Sequence, residues 1–196
     1  MTPDRLEKRD LILARGAQVI VHRGYHATGV QEIVEAACIP KGSFYHYFAS
    51  KEDFALQALE HLYGPRLERY AQALGDPQRS PRARILAYYG DLRAHFASRP
   101  ARACHCFIGS LGFEMADHSP AITGQVEAIL RRAAEILQAC LEDARAAGEL
   151  AADEDCGNLA SFIADAWQGV LTRLKVGDDL APLDAFLWRL ERLLTP

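Results

Sequence analysis

The sequence lacks the features that mark membrane, exported and disulfide-stabilised proteins. It contains no uninterrupted apolar run of about 18 residues, which a helix needs to cross a bilayer. The N-terminus, MTPDRLEKRD, mixes charges where a signal peptide has an apolar core, so we expect a cytoplasmic protein without a membrane contact. The five cysteines are scattered and odd in number, which favours a reducing compartment over a disulfide framework.

Signals for catalysis and for bound cofactors are also missing. The chain has no glycine-rich phosphate loop, and no matching Cys/His pair follows Cys104-His105-Cys106 at structural-zinc spacing. No third residue can be identified that would orient a Cys/His nucleophile. We therefore expect no cofactor, no bound metal and no enzymatic activity.

Charge is distributed unevenly along the chain. The formal net charge of −4 argues, by itself, weakly against nucleic-acid binding. Residues 1–51, however, carry seven basic and five acidic groups, whereas residues 52–196 carry fifteen basic and twenty-one acidic groups. A basic N-terminal part on an acidic remainder is typical of a protein that binds DNA at one end.

Helical periodicity runs through the whole chain, and no segment shows the alternation of a strand. Ser80-Pro81 and Ser119-Pro120 each combine an N-cap with a proline at the first helical position. Gly64-Pro65 should bend or break the long helix that contains it. The sequence predicts an all-α fold, with a three-helix DNA-binding domain in residues 1–51 and a helical effector-binding and dimerisation domain in residues 52–196.

Residues 28–51, TGVQEIVEAACIPKGSFYHYFASK, predict a helix-turn-helix, which lays its second helix in the major groove of DNA. Thr28 is the expected N-cap of the first helix of this unit, and Cys38-Ile39 the turn. Pro40 is expected at the first position of the second helix, where a missing N–H costs nothing. Phe44 and Phe48, four residues apart, should face the core.

The polar residues of this segment are the candidates for DNA contacts. The positive end of the first helix suits a phosphate, and the leading turn of the second presents small and polar groups to the groove. The predicted DNA-binding residues are Thr28, Gln31, Lys41, Gly42, Ser43, Tyr45, His46 and Lys51. An aromatic core helix is the alternative interpretation, but Tyr45 and His46 are too polar for burial there.

This segment resembles the N-terminal domain of the tetracycline-repressor (TetR) family of bacterial transcriptional regulators. The resemblance covers about residues 8–60 and rests on Gly24-Tyr25, Thr28, Ile33, Ala36-Ala37, Lys41-Gly42-Ser43, Tyr45, Phe48 and Lys51. It implies a homodimer that binds a palindromic operator, usually represses, and is released by a small molecule in its C-terminal domain. Pro40 and Gly29 depart from the family pattern, which commonly has serine or threonine at both positions.

Two apolar stripes near the C-terminus predict the dimer interface. They lie on the last two predicted helices, about residues 154–176 and 182–194. Two such hairpins would pair as a four-helix interface, as the resemblance also implies. The alternative is that the stripes only complete the core of one monomer.

Candidate effector residues fall into two groups. The motif Cys104-His105-Cys106 is open to three interpretations: a thiol sensor, part of a metal site, or small buried residues at a helix start. The segment CHCFIGSLGFEMADHSPAI resembles TetR-type regulators that respond to electrophiles and unsaturated molecules such as acrylate, which implies sensing by Cys104 or Cys106. Aromatic candidates for a pocket are Tyr89, Phe96, Phe107 and Trp167, with plain core packing as the alternative.

Together these features predict a transcriptional regulator that binds double-stranded operator DNA and a small-molecule or electrophile effector, most simply as a repressor. Two other classes stay open: a Cys/His enzyme acting on small electrophiles, and a ligand-blind DNA-binding protein. Activation also stays open, because the sign of regulation depends on where the operator lies.

Overall fold

The computed structural model describes residues 3–98, 106–177 and 179–195, and within these ranges the chain is helical with no strand. The helices are α1 (Pro3–Arg23), α2 (Val30–Ala36), α3 (Lys41–Phe44), α4 (Lys51–Leu74), α5 (Pro81–Ala97), α6 (Phe107–Met115), α7 (Pro120–Ala146), α8 (Cys156–Val176) and α9 (Ala181–Leu193). The predicted all-α fold is confirmed. None of the described helices is both long and apolar enough to span a membrane.

The chain folds into two compact units. Unit 1 consists of Met1–Pro65 and His105–Ile129, and unit 2 consists of Arg66–Cys104 and Leu130–Pro196. Unit 1 therefore joins the helix-turn-helix to α6 and to the first part of α7. The functional division between residues 51 and 52 stays a prediction, because the units are defined by packing alone.

The predicted helix starts follow from capping chemistry. The Ser80 hydroxyl accepts the Ala83 N–H, and the Ser119 hydroxyl accepts the Ile122 N–H at 3.1 Å. Both starts are confirmed. The helix α4 continues through Pro65, so it does not break there, and the predicted bend stays a prediction. A proline removes a single N–H from the helix, and the remaining turns of a long helix can accommodate that loss.

The core of unit 1 requires close contact between α1, α2 and α4 at Gly16. A Cβ atom at this position would lie 2.6 Å from Cζ of Phe54 and 2.7 Å from Cγ2 of Ile33. The rings of Phe44 and Phe48 complete this core, and both residues are buried as predicted. The Phe48 ring centroid lies 5.1 Å from those of Phe44 and Phe54.

Unit 2 has a separate core, to which the end of α4, α5, the end of α7, α8 and α9 contribute buried side chains such as Leu74, Ile85, Leu137, Ile163 and Leu190. At its edge Arg93 on α5 forms an ion pair with Asp184 on α9 at 2.6 Å. Apolar burial of this extent is the main source of stability in a helical bundle.

Gly16→Ala should lower the free energy of unfolding by about 1–2 kcal/mol, because the added methyl group must displace two buried side chains. Gly124→Ala is the matched control, since no atom lies within 4 Å of a Cβ at that position of α7. Alanine should there raise the free energy of unfolding by about 0.5–1 kcal/mol. Urea denaturation followed by circular dichroism measures both, and equal stabilities would contradict the packing argument.

Candidate DNA-binding surface and effector site

The turn between α2 and α3 is tight and ends α2. The N–H of Cys38 donates to Glu35 O and the N–H of Ile39 donates to Val34 O, each at 3.0 Å. Cys38 has φ of +55°, in the left-handed region. The turn predicted at Cys38-Ile39 is confirmed. Pro40 precedes α3 as its N-cap, with ψ of 144°, so its expected place as the first helical residue is wrong.

The segment that begins with α3 presents most of the predicted DNA contacts at the surface. Lys41, Gly42, Tyr45 and His46 are exposed, with Tyr45 59% exposed, and Ser43 is half-buried. A Cβ at Gly42 would meet no atom within 4 Å, which leaves its backbone open to a close partner.

On α2, Gln31 is exposed and its amide donates to the Glu35 carboxylate at 2.7 Å. The N-cap of α2 is Gly29, so the cap predicted at Thr28 is wrong. The Glu32 carboxylate instead accepts the Gly29 N–H at 2.9 Å. The hydrogen bond from its own backbone N–H lowers the pKa of Glu32 most, and the hydrogen bond from the Gly29 N–H lowers it further.

Thr28 and Lys51 are engaged inside unit 1. Thr28 is fully buried, and its hydroxyl donates to Gly24 O at 2.7 Å. The Lys51 ammonium donates to Tyr25 O at 2.8 Å and to Thr28 O at 2.9 Å, and lies 4.1 Å from the Tyr25 ring centroid. Burial lowers the pKa of Lys51. Both side chains therefore hold the turn before α2, and their DNA contacts stay predictions.

Cys106 is the N-cap of α6. Its sulfur accepts the Gly109 N–H at 3.3 Å, and the side chain is half-buried. The next residue, Phe107, is buried, and the Ile108 N–H donates to the Tyr63 hydroxyl at 3.1 Å. Cys104 lies outside the described residues.

The other described thiols differ in accessibility. Cys140 and Cys156 are buried, whereas Cys38 is exposed. Burial raises the pKa of Cys140 to about 11 and also raises that of Cys156, so neither is readily ionised near neutral pH. Within the described residues, no three His, Cys, Asp or Glu side chains come together as a metal site.

Three of the four aromatic effector candidates lie together in unit 2. The Trp167 ring centroid lies 5.3 Å from that of Tyr89 and 6.3 Å from that of Phe96. Phe186 joins this aromatic cluster, with its centroid 5.5 Å from that of Trp167, although the sequence assigns it only to an apolar stripe. Phe107 belongs to unit 1.

The cluster also holds buried hydroxyl groups. The Tyr70 and Tyr89 hydroxyl oxygens are 3.3 Å apart and share a hydrogen bond. Burial raises the pKa of both phenols, so both stay protonated at physiological pH. The paired hydroxyls are the polar centre of an otherwise apolar region.

The helices α8 and α9 border an apolar groove of about 200 Å³. Its lining consists of Phe162, Ile163, Ala166, Val170, Pro182, Phe186, Arg189, Leu190 and Leu193. Phe162 at its side is 53% exposed, and Trp188 on α9 is 60% exposed. The Arg192 guanidinium covers the Trp188 ring at 4.8 Å from its centroid. Large exposed rings beside a groove are typical of a surface that binds another protein chain.

Two family comparisons match most of the chain. Residues 12–58 match the bacterial regulatory proteins of the tetR family, and residues 81–189 match the tetracyclin repressor-like C-terminal domain. The chain belongs to the TetR family. It is therefore a DNA-binding transcriptional regulator, and the predicted family and general function are confirmed.

Individual relatives match over nearly their whole length. The transcriptional regulator AcuR of Cereibacter sphaeroides is 35% identical, over 94% of this chain and 84% of AcuR. The repressor DhaR of Mycobacterium sp. (strain GP1) is 29% identical, over 98% of this chain and 94% of DhaR. The crystal structure of reduced Escherichia coli NemR superposes with a TM-score of 0.86 and 30% identity, covering 97% of this chain and 98% of NemR.

Lys51→Met should lower the free energy of unfolding by about 1–3 kcal/mol, because two carbonyl groups lose a charged donor. Lys41→Met is the matched control: Lys41 is exposed, so its substitution should change stability by less than about 0.5 kcal/mol. Urea titration of both purified variants measures the difference. A Lys51→Met variant as stable as wild type would favour a role at the DNA surface alone.

Proposed function

We propose that the protein is a transcriptional repressor that binds a palindromic operator as a homodimer and leaves it when a small electrophile reacts with Cys104 or Cys106. Acting on chromosomal DNA, it would work in the cytoplasm. The observation that carries the effector part is Cys106 at the N-cap of α6, where its sulfur accepts a backbone N–H. DhaR and NemR are both named repressors, which supports repression here.

The exposed surface of α3 and of the turn that follows it supports the operator contacts. Lys41 suits a phosphate, while Tyr45 and His46 have polar atoms for base edges or sugar. Gly42 lets the backbone come close to the groove wall, because no Cβ projects there. A lone helix-turn-helix reads only a few base pairs, so two copies on a palindrome supply the specificity of an operator.

The groove between α8 and α9 supports the homodimer. It is apolar, and both helices already contribute buried leucines to unit 2. A two-fold interface joins the same patch on both copies, so the exposed Phe162 of each copy would find apolar surface on the other. Such a contact would remove exposed aromatic area from water.

The thiol chemistry follows from the place of Cys106. With an electron-poor alkene, an S–C bond forms at one alkene carbon while the C=C π bond breaks, and the neighbouring carbon takes up a proton in place of the thiol proton. The sulfur becomes a bulkier thioether at the first turn of α6. Because that sulfur accepts the Gly109 N–H, alkylation disturbs the start of the helix.

Lys41→Ala should weaken operator binding about tenfold and lower the salt dependence of binding by about two released ions per dimer, one for each lost phosphate contact. Fluorescence anisotropy with labelled operator at several salt concentrations measures both. Arg131→Ala, on α7 in unit 2, is a control that removes the same charge. If the salt dependence of operator affinity is the same for Lys41→Ala as for wild type, Lys41 does not contact a phosphate.

Operator release should require a specific thiol. The protein is titrated with the DNA upstream of its own gene, and with duplexes selected from a random pool, before and after treatment with N-ethylmaleimide. Because Cys38 is exposed in the helix-turn-helix, its alkylation could block DNA directly. The comparison therefore uses a Cys38→Ser background, to which Cys104→Ser or Cys106→Ser is added.

We expect the treated Cys38→Ser protein to lose operator affinity, and one of the two added serine variants to keep it. If both added variants still release DNA, the effector binds without a covalent bond, and the aromatic cluster of Tyr89, Phe96 and Trp167 becomes the site to test. Repeated consumption of the electrophile by the protein would instead favour an enzyme. Binding that resists every effector would favour a ligand-blind DNA-binding protein.

A further inference from the structure

The carboxylate of Glu114, near the end of α6, binds two consecutive backbone amides of the helix-turn-helix region. Its Oε2 accepts the Tyr25 N–H at 2.6 Å, and its Oε1 accepts the His26 N–H at 2.5 Å. Tyr25 is buried, and Glu114 itself is half-buried. Hydrogen bonds with a charged acceptor in partly buried surroundings are among the stronger ones in proteins.

The backbone of this turn is shaped for the carboxylate. Gly24 ends α1 with φ of +90°, a conformation that favours glycine. A Cβ at Gly24 would also lie 3.2 Å from Oε2 of Glu114. One residue therefore supplies both the reversal of the chain and the space for the carboxylate, and the two N–H groups that follow it point to Glu114.

The carbonyl groups of the same turn are held from α4. The Lys51 ammonium donates to Tyr25 O and Thr28 O. The peptide group between Tyr25 and His26 therefore has the Lys51 cation at its carbonyl oxygen and the Glu114 carboxylate at its N–H. The His26 ring also packs edge-on against the His118 ring, with centroids 5.0 Å apart. The turn leads directly into α2, because Gly29 is the N-cap of that helix.

We infer that Glu114 is a positioning residue for operator binding, through which the state of α6 sets the orientation of the helix-turn-helix. The regulatory part of this inference rests on the proposed function. Cys106 stands at the start of α6 and Glu114 eight residues later, about 12 Å along a rigid helix. A shift at the first turn of α6 therefore moves the carboxylate against the turn that begins at Gly24.

The test is Glu114→Gln in the Cys38→Ser background. Glutamine has the same size, but its amide nitrogen cannot accept one of the two N–H groups. We expect operator affinity to fall about fivefold or more, and the ratio of affinities before and after N-ethylmaleimide to approach one. Glu114→Asp, which keeps the charge on a shorter side chain, is the second variant in case the glutamine variant does not fold.

Two controls separate positioning from plain stability. Glu127→Gln removes an exposed carboxylate from α7 in the same unit. Glu149→Gln in unit 2, outside the proposed dimer interface, changes a carboxylate that also accepts a backbone N–H, at 2.8 Å from Arg82 N. We expect Glu149→Gln to lower the midpoint of thermal unfolding while leaving operator affinity unchanged.

The outcomes are distinct. If Glu114→Gln loses thermal stability but binds operator like the Cys38→Ser parent at 25 °C, Glu114 is only structural and the inference is overturned. If the parent protein does not respond to N-ethylmaleimide while Glu114→Gln still weakens operator binding, the electrophile hypothesis fails and the positioning role stands. Amide exchange provides a further readout, since Tyr25 and His26 should exchange at least about tenfold faster in the variant.

Discussion

The helix-turn-helix depends on one short turn in which several backbone N–H and C=O groups are bound by side chains of other helices. Helix ends leave N–H and C=O groups unsatisfied, and burying them without partners costs free energy. Between Gly24 and Thr28 the missing partners are a carboxylate from α6 and an ammonium from α4. The position of α2 is therefore decided by side chains that lie far away in the sequence.

The architecture could be predicted from local patterns, because helical periodicity and capping residues such as Ser80 and Ser119 act within a few positions. Thr28 shows where local rules fail. Threonine is a frequent N-cap, but here its hydroxyl donates to Gly24 O, and Glu32 takes over the capping. The partner of Tyr25 N, Glu114, is 89 residues away in the sequence, and nothing in the local pattern of either residue indicates the contact.

The candidate DNA-binding residues show the same difference between what local sequence predicts and what only the fold determines. Lys41, Tyr45 and His46 are exposed, as expected from a short segment in which polar side chains follow one another closely. The basic excess of residues 1–51 is less available to DNA than a count of charges implies. Lys51 binds backbone carbonyls, and Arg23 lies 3.7 Å from Glu32 in an ion pair. Composition gives the number of charges, and only the fold decides which of them face solvent.

Both tryptophans of the chain, Trp167 and Trp188, lie in unit 2 but in different surroundings. Trp167 is half-buried among aromatic rings, whereas Trp188 is exposed beneath the Arg192 guanidinium. Indole emission shifts to the blue when water is excluded from the ring. Association through α9, as proposed, would therefore shift the Trp188 emission. In a Trp188→Phe background the remaining emission reports on the aromatic cluster alone, without any added label.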